Sequence, residues 1–211
     1  VTYHSTQETP LFGPGQGSTC GPLFWLLCYW LIVDSIDPTI SAAKFYSACR
    51  EVTIEMFGVS FVDDSSLAVT SDHVWQAAKS FQENQEEEVH STVLKLGRLA
   101  QHWEKLLFTT GGAINMQKSH WYLMTWNWKQ GNPHLATIDK APAELLLTTG
   151  RNDVPDQVPR IEVGAAFRTL GVCITPNGSS SKQVQILRQY TNQYSVCVTS
   201  STLTPEEAYI S

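Results

Sequence analysis

The chain has 211 residues, of which 42% are hydrophobic, so it is long enough to fold around a substantial core. Its formal net charge of −6 argues against a free-standing nucleic-acid-binding protein, because such proteins usually carry a basic face. Five cysteines without a Cys-x-x-Cys pair argue against a disulfide framework or a zinc site and favour a reducing compartment. The first residues do not form a signal peptide, so we expect an intracellular protein, in the cytoplasm or nucleus, that is not secreted.

The N-terminal part contains a glycine-rich segment, Gly13–Pro22, which lets the backbone approach a ligand closely. It is not a dinucleotide fingerprint, because Cys20 stands at the third glycine position, and it is not a P-loop, because no lysine follows. The segment either holds a phosphate or base edge or serves only as the entry to a helix, and both readings stay open. The apolar run Leu23–Ile36 predicts a buried helix, too short to span a bilayer.

Two adjacent carboxylates, Asp63 and Asp64, lie between two apolar runs of alternating pattern. The pattern predicts two strands within 54–70 joined by a turn at 63–66. Two carboxylates at a hairpin tip repel each other unless a cation neutralises them, and rigid oxygen ligands suit Mg²⁺. The alternative is ordinary turn chemistry, because aspartate is common in turns.

The segments on either side predict further helices. We expect residues 38–50 to form a short helix or loop, and residues 73–82 to form a helix capped by Asp72. The segment 83–88 is too polar to bury and predicts a break or an exposed turn. A helix that ends at Gly111-Gly112 follows, because apolar residues recur on one face at Val89, Val93, Leu96, Ala100, Trp103 and Leu107.

The C-terminal half predicts short strands and one more helix. The strands are expected at 121–126, 134–138, 145–148, 161–163 and 167–174, with a turn at 127–133, and the helix at 182–199. Alternation along the chain predicts core and edge packing, rather than base stacking, for Trp121, Tyr122, Trp126 and Trp128. A serine-rich joint near 178–182 predicts a domain boundary.

Four separated segments resemble, in order and rough spacing, motifs of the reverse transcriptases of retroelements. Phe61-Val62-Asp63-Asp64 resembles their aromatic-x-Asp-Asp catalytic hairpin, and Gly15-Gln16-Gly17-Ser18 with Pro22 resembles the loop and helix before it. Gly111-Gly112 followed by Lys118 resembles the motif near the nucleotide phosphates, and Leu170-Gly171 resembles the primer-grip hairpin. The resemblance covers nearly all of residues 12–210.

The resemblance implies an RNA-directed DNA polymerase that uses two Mg²⁺ ions, or Mn²⁺ in their place. Its fold would be an α+β palm over residues 1–178, with an antiparallel sheet and helices packed on one face. The beginning of a helical thumb would follow at 179–211. Implied partners are a primed RNA or DNA template, deoxynucleoside triphosphates and the rest of a polyprotein (fingers, thumb, and RNase H, integrase or endonuclease domains), but no membrane.

The resemblance also implies a role for individual residues. Asp63 and Asp64 would bind metal, and Lys118 would lie near the leaving group as a charge partner or general acid. Further residues would contact the incoming nucleotide, the template or the primer end: Gln16, Gly17, Phe61, Val62, Leu170 and Gly171.

One departure from the family pattern concerns the metal site. The family takes a further aspartate from a strand upstream of the glycine-rich loop, and no Asp occurs in residues 1–33. The first residue, Val1, and the last segment, 205–211, also resemble cut ends, so we expect a fragment. We predict that this chain alone does not polymerise.

Three alternatives remain open at the level of sequence. The first is a degenerate, non-catalytic relic of a retroelement that still binds nucleic acid. The second is a non-enzymatic nucleic-acid-binding module with stacking aromatics. The third, a cysteine hydrolase that uses Cys20, is weakly supported because the six histidines show no characteristic spacing.

Overall fold

The computed structural model describes residues 20–36, 42–61, 64–150, 154–169 and 171–200. These residues form a mixed α+β structure, so the coarse fold-class prediction is confirmed. The described part contains three helices: α1 (Gly21–Asp34), α2 (Phe81–Thr109) and α3 (Ser181–Ser200). Within these ranges no helix combines the length and the apolar character that crossing a membrane requires.

The strands of the described part form antiparallel pairs. They are β1 (Ala43–Tyr46), β2 (Thr53–Met56), β3 (Gly58–Phe61), β4 (Asp64–Leu67), β5 (Trp126–Lys129), β6 (Asn132–Leu135), β7 (Leu145–Leu147), β8 (Asp156–Val158), β9 (Phe167–Thr169) and β10 (Val172–Ile174). Each strand pairs with its neighbour in sequence, which gives five separate two-stranded sheets: β1–β2, β3–β4, β5–β6, β7–β8 and β9–β10.

The prediction of a short helix or loop at 38–50 is wrong where strand β1 lies. Phe45 pairs with Ile54, and the register places Lys44 opposite Glu55, whose carboxylate lies 3.3 Å from the ammonium. Aromatic and β-branched residues favour a pleated strand, and this cross-strand charge pair favours the same register.

Helix α1 is present where it was predicted, but the prediction that it is buried is wrong. Its large apolar side chains, Leu23, Trp30 and Leu31 among them, are exposed, and Ile32 is its buried residue. The helix is apolar on all sides, so a single packed face leaves most of that surface uncovered.

Helix α2 is longer than predicted, and both the helix at 73–82 and the break at 83–88 are wrong. The helix begins at Phe81 and runs through the glutamates, because Ser80 and Glu83 form a capping box. The Glu83 amide donates to the Ser80 hydroxyl at 3.2 Å, and the Ser80 amide donates to the Glu83 carboxylate at 2.8 Å. The predicted end is confirmed, since α2 stops just before Gly111, whose φ is +85°.

Helices α1 and α2 share a hydrophobic core. Its buried members are Ile32, Ile36, Leu99 and Trp103. Half-buried apolar side chains surround them, and these come from three further parts of the chain: Tyr29, Phe57, Leu67, Val69, Leu106, Leu107 and Ile114. The strands next to the two aspartates are therefore fixed to both helices through apolar contacts.

The chain divides into two compact units. The first unit comprises Val1–Trp121 and Ala141–Arg160, and the second comprises Tyr122–Lys140 and Ile161–Ser211. The predicted division into 1–178 and 179–211 stays a prediction. Helix α3, predicted at 182–199, is confirmed and belongs to the second unit.

Candidate functional site

The two strands before and after the aspartate pair form a hairpin, β3 and β4, which we call the aspartate hairpin. Phe61 pairs with Asp64, so the chain reverses between these two residues, and residues 62–63 lie outside the described part. The predicted turn at 63–66 is therefore wrong in its position, because Asp64, Ser65 and Ser66 already belong to β4. Asp64 thus stands at the first position of a strand rather than inside a loop.

Hydroxyl groups join the two strands beside Asp64. The Ser60 and Ser65 hydroxyls lie 2.8 Å apart across the hairpin, and the Ser60 hydroxyl also donates to the Asp64 carbonyl at 3.1 Å. The Asp64 carboxylate is exposed and forms no hydrogen bond or ion pair with any other described residue. The end of the hairpin therefore presents a carboxylate that has no partner in the described part, next to two strands that the serine hydroxyls hold together.

The opposite end of the aspartate hairpin is held by close packing. A Cβ atom on Gly58 would lie 2.3 Å from the Ser66 carbonyl oxygen, so only glycine lets the two strands approach this closely. Next to it, the rings of Phe57 and Trp103 lie 6.4 Å apart, centroid to centroid, and Tyr29 meets Trp103 edge-on at 6.2 Å. The hairpin is thus anchored on α2 at the end remote from Asp64.

A buried carboxylate on α2 organises the segment that leads to Lys118. Glu104 is fully buried, and its carboxylate accepts hydrogen bonds from the Ile114 amide at 2.6 Å and the Gly150 amide at 2.7 Å. Burial of a carboxylate is costly unless hydrogen bonds satisfy it, and these two amides do so. Sequence reasoning missed Glu104, because the two amides lie far from it along the chain.

Lys118 lies in an exposed turn that follows Ile114. Its amide and the amide of Gln117 donate to the Asn115 side chain, at 3.3 Å and 3.1 Å, which makes an asparagine-initiated turn. Within the described ranges the Lys118 ammonium pairs with no carboxylate. The core thus brings together the aspartate hairpin, the end of α1 and the start of the Lys118 segment through Ile114.

Several predicted site residues lie outside the described part of the chain. These residues are Gln16, Gly17, Val62, Asp63 and Leu170. Phe61 is described as the last residue of β3, and Gly171 follows β9 with φ +84°, a conformation that favours glycine. The prediction of one strand over 167–174 is wrong, because β9 and β10 pair with each other within it, in the second unit, and the described residues show no strand at 161–163. The assignment of this segment as a primer grip stays a prediction.

The described residues offer few ligands for a divalent metal ion. No group of three or more His, Cys, Asp or Glu side chains in the described ranges is placed to hold a metal ion. Asp64 offers one exposed, hard oxygen ligand, and its sequence neighbour Asp63 lies outside these ranges. Mg²⁺ binds to proteins through one or two carboxylates and retains several waters, so the donor type fits and the described residues supply one ligand.

The aromatic residues after α2 divide into two groups. Trp121 is buried as predicted, with its indole N–H donating to the Val158 carbonyl at 3.1 Å. Trp126 and Trp128 are exposed by 50% and 58%, so their predicted packing role is wrong. Strand β5 begins only at Trp126 and runs to Lys129, so the strand predicted at 121–126 is wrong in position and the turn comes later than predicted, at Gln130-Gly131. Alternation marks a strand but does not say whether anything covers its apolar face.

Comparison with known proteins gave no relative: no protein-family model, curated protein or solved structure matches this chain.

Proposed function

We propose that this chain is the palm part of a reverse transcriptase of a retroelement, a nucleotidyltransferase that extends a primer on an RNA or DNA template. The observation that carries the proposal is the exposed Asp64 at the end of a hairpin whose base packs on Trp103 of α2. The order of the four motifs in the sequence supports it as well.

The spatial grouping of three motifs adds to this support. The aspartate hairpin, α1 and the segment leading to Lys118 contribute to one core, through Leu67, Ile32 and Ile114 respectively. The hairpin that carries Asp64 and the segment that leads to Lys118 are thus fixed to the same core. Such rigidity suits nucleotidyl transfer, which depends on positioning and charge neutralisation rather than on a protein nucleophile. The described strands form five separate two-stranded sheets rather than the single antiparallel palm sheet that the resemblance implies.

The roles proposed for the acids follow from their chemistry. Asp63 and Asp64 would hold Mg²⁺, or Mn²⁺ in its place. When bound, this ion lowers the pKa of a hydroxyl and neutralises phosphate charge. Asp64 supplies a carboxylate that pairs with no other described residue, and the Ser60 and Ser65 hydroxyls fix the two strands that support it.

The other residues act on the nucleotide or the primer in this proposal. The Lys118 ammonium, exposed and unpaired within the described part, would neutralise the leaving pyrophosphate. Gln16 and Gly17 would contact the incoming nucleotide and template, and Phe61 and Val62 would lie beneath the primer end. Leu170 and Gly171, at the β9–β10 turn, would position that primer end.

A degenerate relic that binds nucleic acid without catalysis is the second candidate. The observation that favours it is the small donor set, because the described residues offer the Asp64 carboxylate but no group of three or more metal ligands. The two candidates differ in what they select: a polymerase palm requires a recessed 3′ end together with a divalent ion, whereas a relic binds nucleic acid without either.

The test is binding of a fluorescently labelled primer-template with a recessed 3′ end, compared with blunt duplex, with and without Mn²⁺. We expect Mn²⁺ to strengthen binding of the recessed end in the unmodified chain and to have no effect in Asp64→Asn. Primer extension by this chain alone should be absent. Equal binding of both duplexes, independent of Mn²⁺ and of Asp64, would overturn the palm proposal and leave the relic.

A further inference from the structure

The second unit carries a hairpin whose aromatic face is exposed. Strands β5 and β6 form it, and we call it the tryptophan hairpin. Trp128 is 58% exposed and Trp126 50% exposed, although tryptophan is among the side chains that gain most from burial. Met124, just before β5, is exposed as well. Large apolar side chains that stay grouped at a surface mark a binding site more often than isolated ones do.

The register of the tryptophan hairpin places its apolar residues on one face. Trp126 lies opposite Leu135, and Trp128 lies opposite Pro133. Alternate residues of a strand share a face and are spaced by about 7 Å, so the two indoles form a row along β5. The turn is tight, because Gln130 and Gly131 both have positive φ, +52° and +79°, as the two-residue hairpin turn that matches strand twist requires.

The tryptophan hairpin carries cationic side chains and no carboxylate, although the whole chain is acidic. No Asp or Glu occurs in residues 122–138, and Lys129 lies in that interval. In the hairpin itself, Lys129 and His134 are exposed, and neither forms an ion pair with another described residue. The register places these cations on the face of the hairpin opposite the indoles. Because a two-stranded ribbon is only about 5 Å wide, the flexible Lys129 side chain can still reach a phosphate at the edge of the ribbon.

We propose that the tryptophan hairpin binds single-stranded polynucleotide, with bases stacked on Trp126 and Trp128 and the phosphate backbone beside Lys129. Every base has a π-face, so aromatic stacking tolerates any sequence, and a cation at the ribbon edge matches a polyanion. A purely apolar partner would leave the lysine unused, and an acidic peptide would leave the indole row unused. This site does not depend on Asp63 or Asp64 and is independent of the proposed polymerase function.

The experiment measures fluorescence anisotropy of labelled single-stranded 12-mers of DNA and of RNA, titrated with the full chain. We expect Trp128→Ala to weaken binding by at least about fivefold, since loss of one stacked base partner has that effect or more. Trp128→Phe should keep part of the affinity. Lys129→Gln should reduce the slope of log affinity against log salt by about 0.7, the value for one phosphate contact on a single strand.

The matched control is Trp30→Ala, because Trp30 in α1 is 61% exposed and lies outside the tryptophan hairpin. We expect it to leave the affinity unchanged. Comparison of DNA and RNA strands shows whether the ribose hydroxyl matters, and either preference agrees with the proposal. Asp64→Asn should have no effect on single-strand binding, which separates this site from the aspartate hairpin.

Three results would overturn the inference. One is the absence of binding at low salt. Another is a fall in affinity that is equal for Trp30→Ala and Trp128→Ala, which indicates nonspecific apolar contact. The last is concentration-dependent dimerisation abolished by Trp128→Ala without any oligonucleotide binding, which would assign the aromatic face to a second copy of the chain.

Discussion

The two units of the molecule differ in charge and in how many apolar side chains they bury. The first unit holds nine Lys and Arg against sixteen Asp and Glu, a formal charge of −7, and the second holds five against four, a charge of +1. Nearly all buried apolar side chains of the described part belong to the first unit, whereas Ala136 and Val163 belong to the second. The first unit buries Trp103 and Trp121 but leaves other aromatic side chains exposed, whereas Trp126 and Trp128 of the second unit are both exposed.

One tryptophan from each unit illustrates the difference between a residue that stabilises the fold and a residue that is available for binding. In the first unit, Trp103 lies in the core that anchors the aspartate hairpin, so its contacts stabilise the fold. In the second unit, Trp128 contributes exposed aromatic area next to Lys129, which forms no ion pair with another described residue. The comparison predicts that substitution of Trp103 will change stability and that substitution of Trp128 will change ligand binding.

The largest expected effect comes from a pair of tryptophan substitutions. Trp103→Ala removes a side chain that is 3% exposed and should lower the free energy of unfolding by about 3–5 kcal/mol. Trp128→Ala should change it by less than about 0.5 kcal/mol, as is usual for surface substitutions. Urea unfolding followed by circular dichroism measures both values. Equal losses in the two variants would contradict the comparison.

The second effect concerns the buried carboxylate of α2. Glu104→Gln keeps the shape of the side chain but replaces one acceptor with an amide that faces an N–H group, either that of Ile114 or that of Gly150. An unsatisfied buried group costs about 1–3 kcal/mol, so the variant should be less stable by that amount. Glu144→Gln, on an exposed carboxylate, is the control. Hydrogen exchange should show faster exchange at Ile114 and Gly150 in Glu104→Gln alone.

The third effect concerns the close approach of the strands of the aspartate hairpin. Gly58→Ala places a Cβ against the backbone of Ser66, and relief of such crowding costs about 1–3 kcal/mol. Gly164→Ala in the second unit is the matched control, because its nearest atom would be 4.0 Å away. Thermal unfolding of both variants tests this. A Gly58→Ala variant as stable as Gly164→Ala would show that the strands separate without cost.

The smallest effect concerns the capping box and depends on pH. The hydrogen bond from the Ser80 hydroxyl lowers the pKa of Glu83 below its ordinary value of 4.5. Because the folded pKa is depressed, the carboxylate stabilises the fold above about pH 4.5 and loses this effect as pH falls through the folded pKa. Ser80→Ala should cost about 1 kcal/mol at pH 7 and less at pH 3.

The decisive measurement is how the loss of stability in Ser80→Ala depends on pH. Ser181→Ala, at the start of α3, provides the control, since no acidic residue lies in the first turn of α3. Urea unfolding at several pH values gives the free energy of unfolding of Ser80→Ala and of the unmodified chain. The two values should differ at pH 7 and approach each other as the pH falls to about 3. A gap between them that stays constant from pH 7 to about pH 3 would exclude the titration of Glu83 as its cause.

Local pattern was enough to predict the elements that carry their own signal. The one-sided apolar repeat predicted the central part of α2, and the alternating runs around Asp63 predicted the aspartate hairpin. The start of α2 was not predicted, although Ser80 and Glu83 have the spacing of a capping box. The polar composition of 83–88 is typical of an exposed turn, but it is equally compatible with the first turns of an exposed helix.

Features that depend on distant parts of the chain were not predictable. The exposure of Leu23 in α1 and of Trp128 in β5 follows from the lack of a covering element within the described part, which composition does not encode. The role of Glu104 depends on two amides brought to it by the fold. For the candidate site, sequence suggested the chemistry of Asp64, and the structure added the anchoring of its hairpin on Trp103.

The central claim is that the aspartate hairpin holds a divalent metal ion. Isothermal titration calorimetry with Mn²⁺ and Mg²⁺ tests it on the unmodified chain, Asp63→Asn and Asp64→Asn, with Asp139→Asn, an exposed turn aspartate of the second unit, as control. We predict binding that either hairpin substitution abolishes and the control leaves intact. Absence of binding in the unmodified chain, or binding that survives both hairpin substitutions, would contradict the claim.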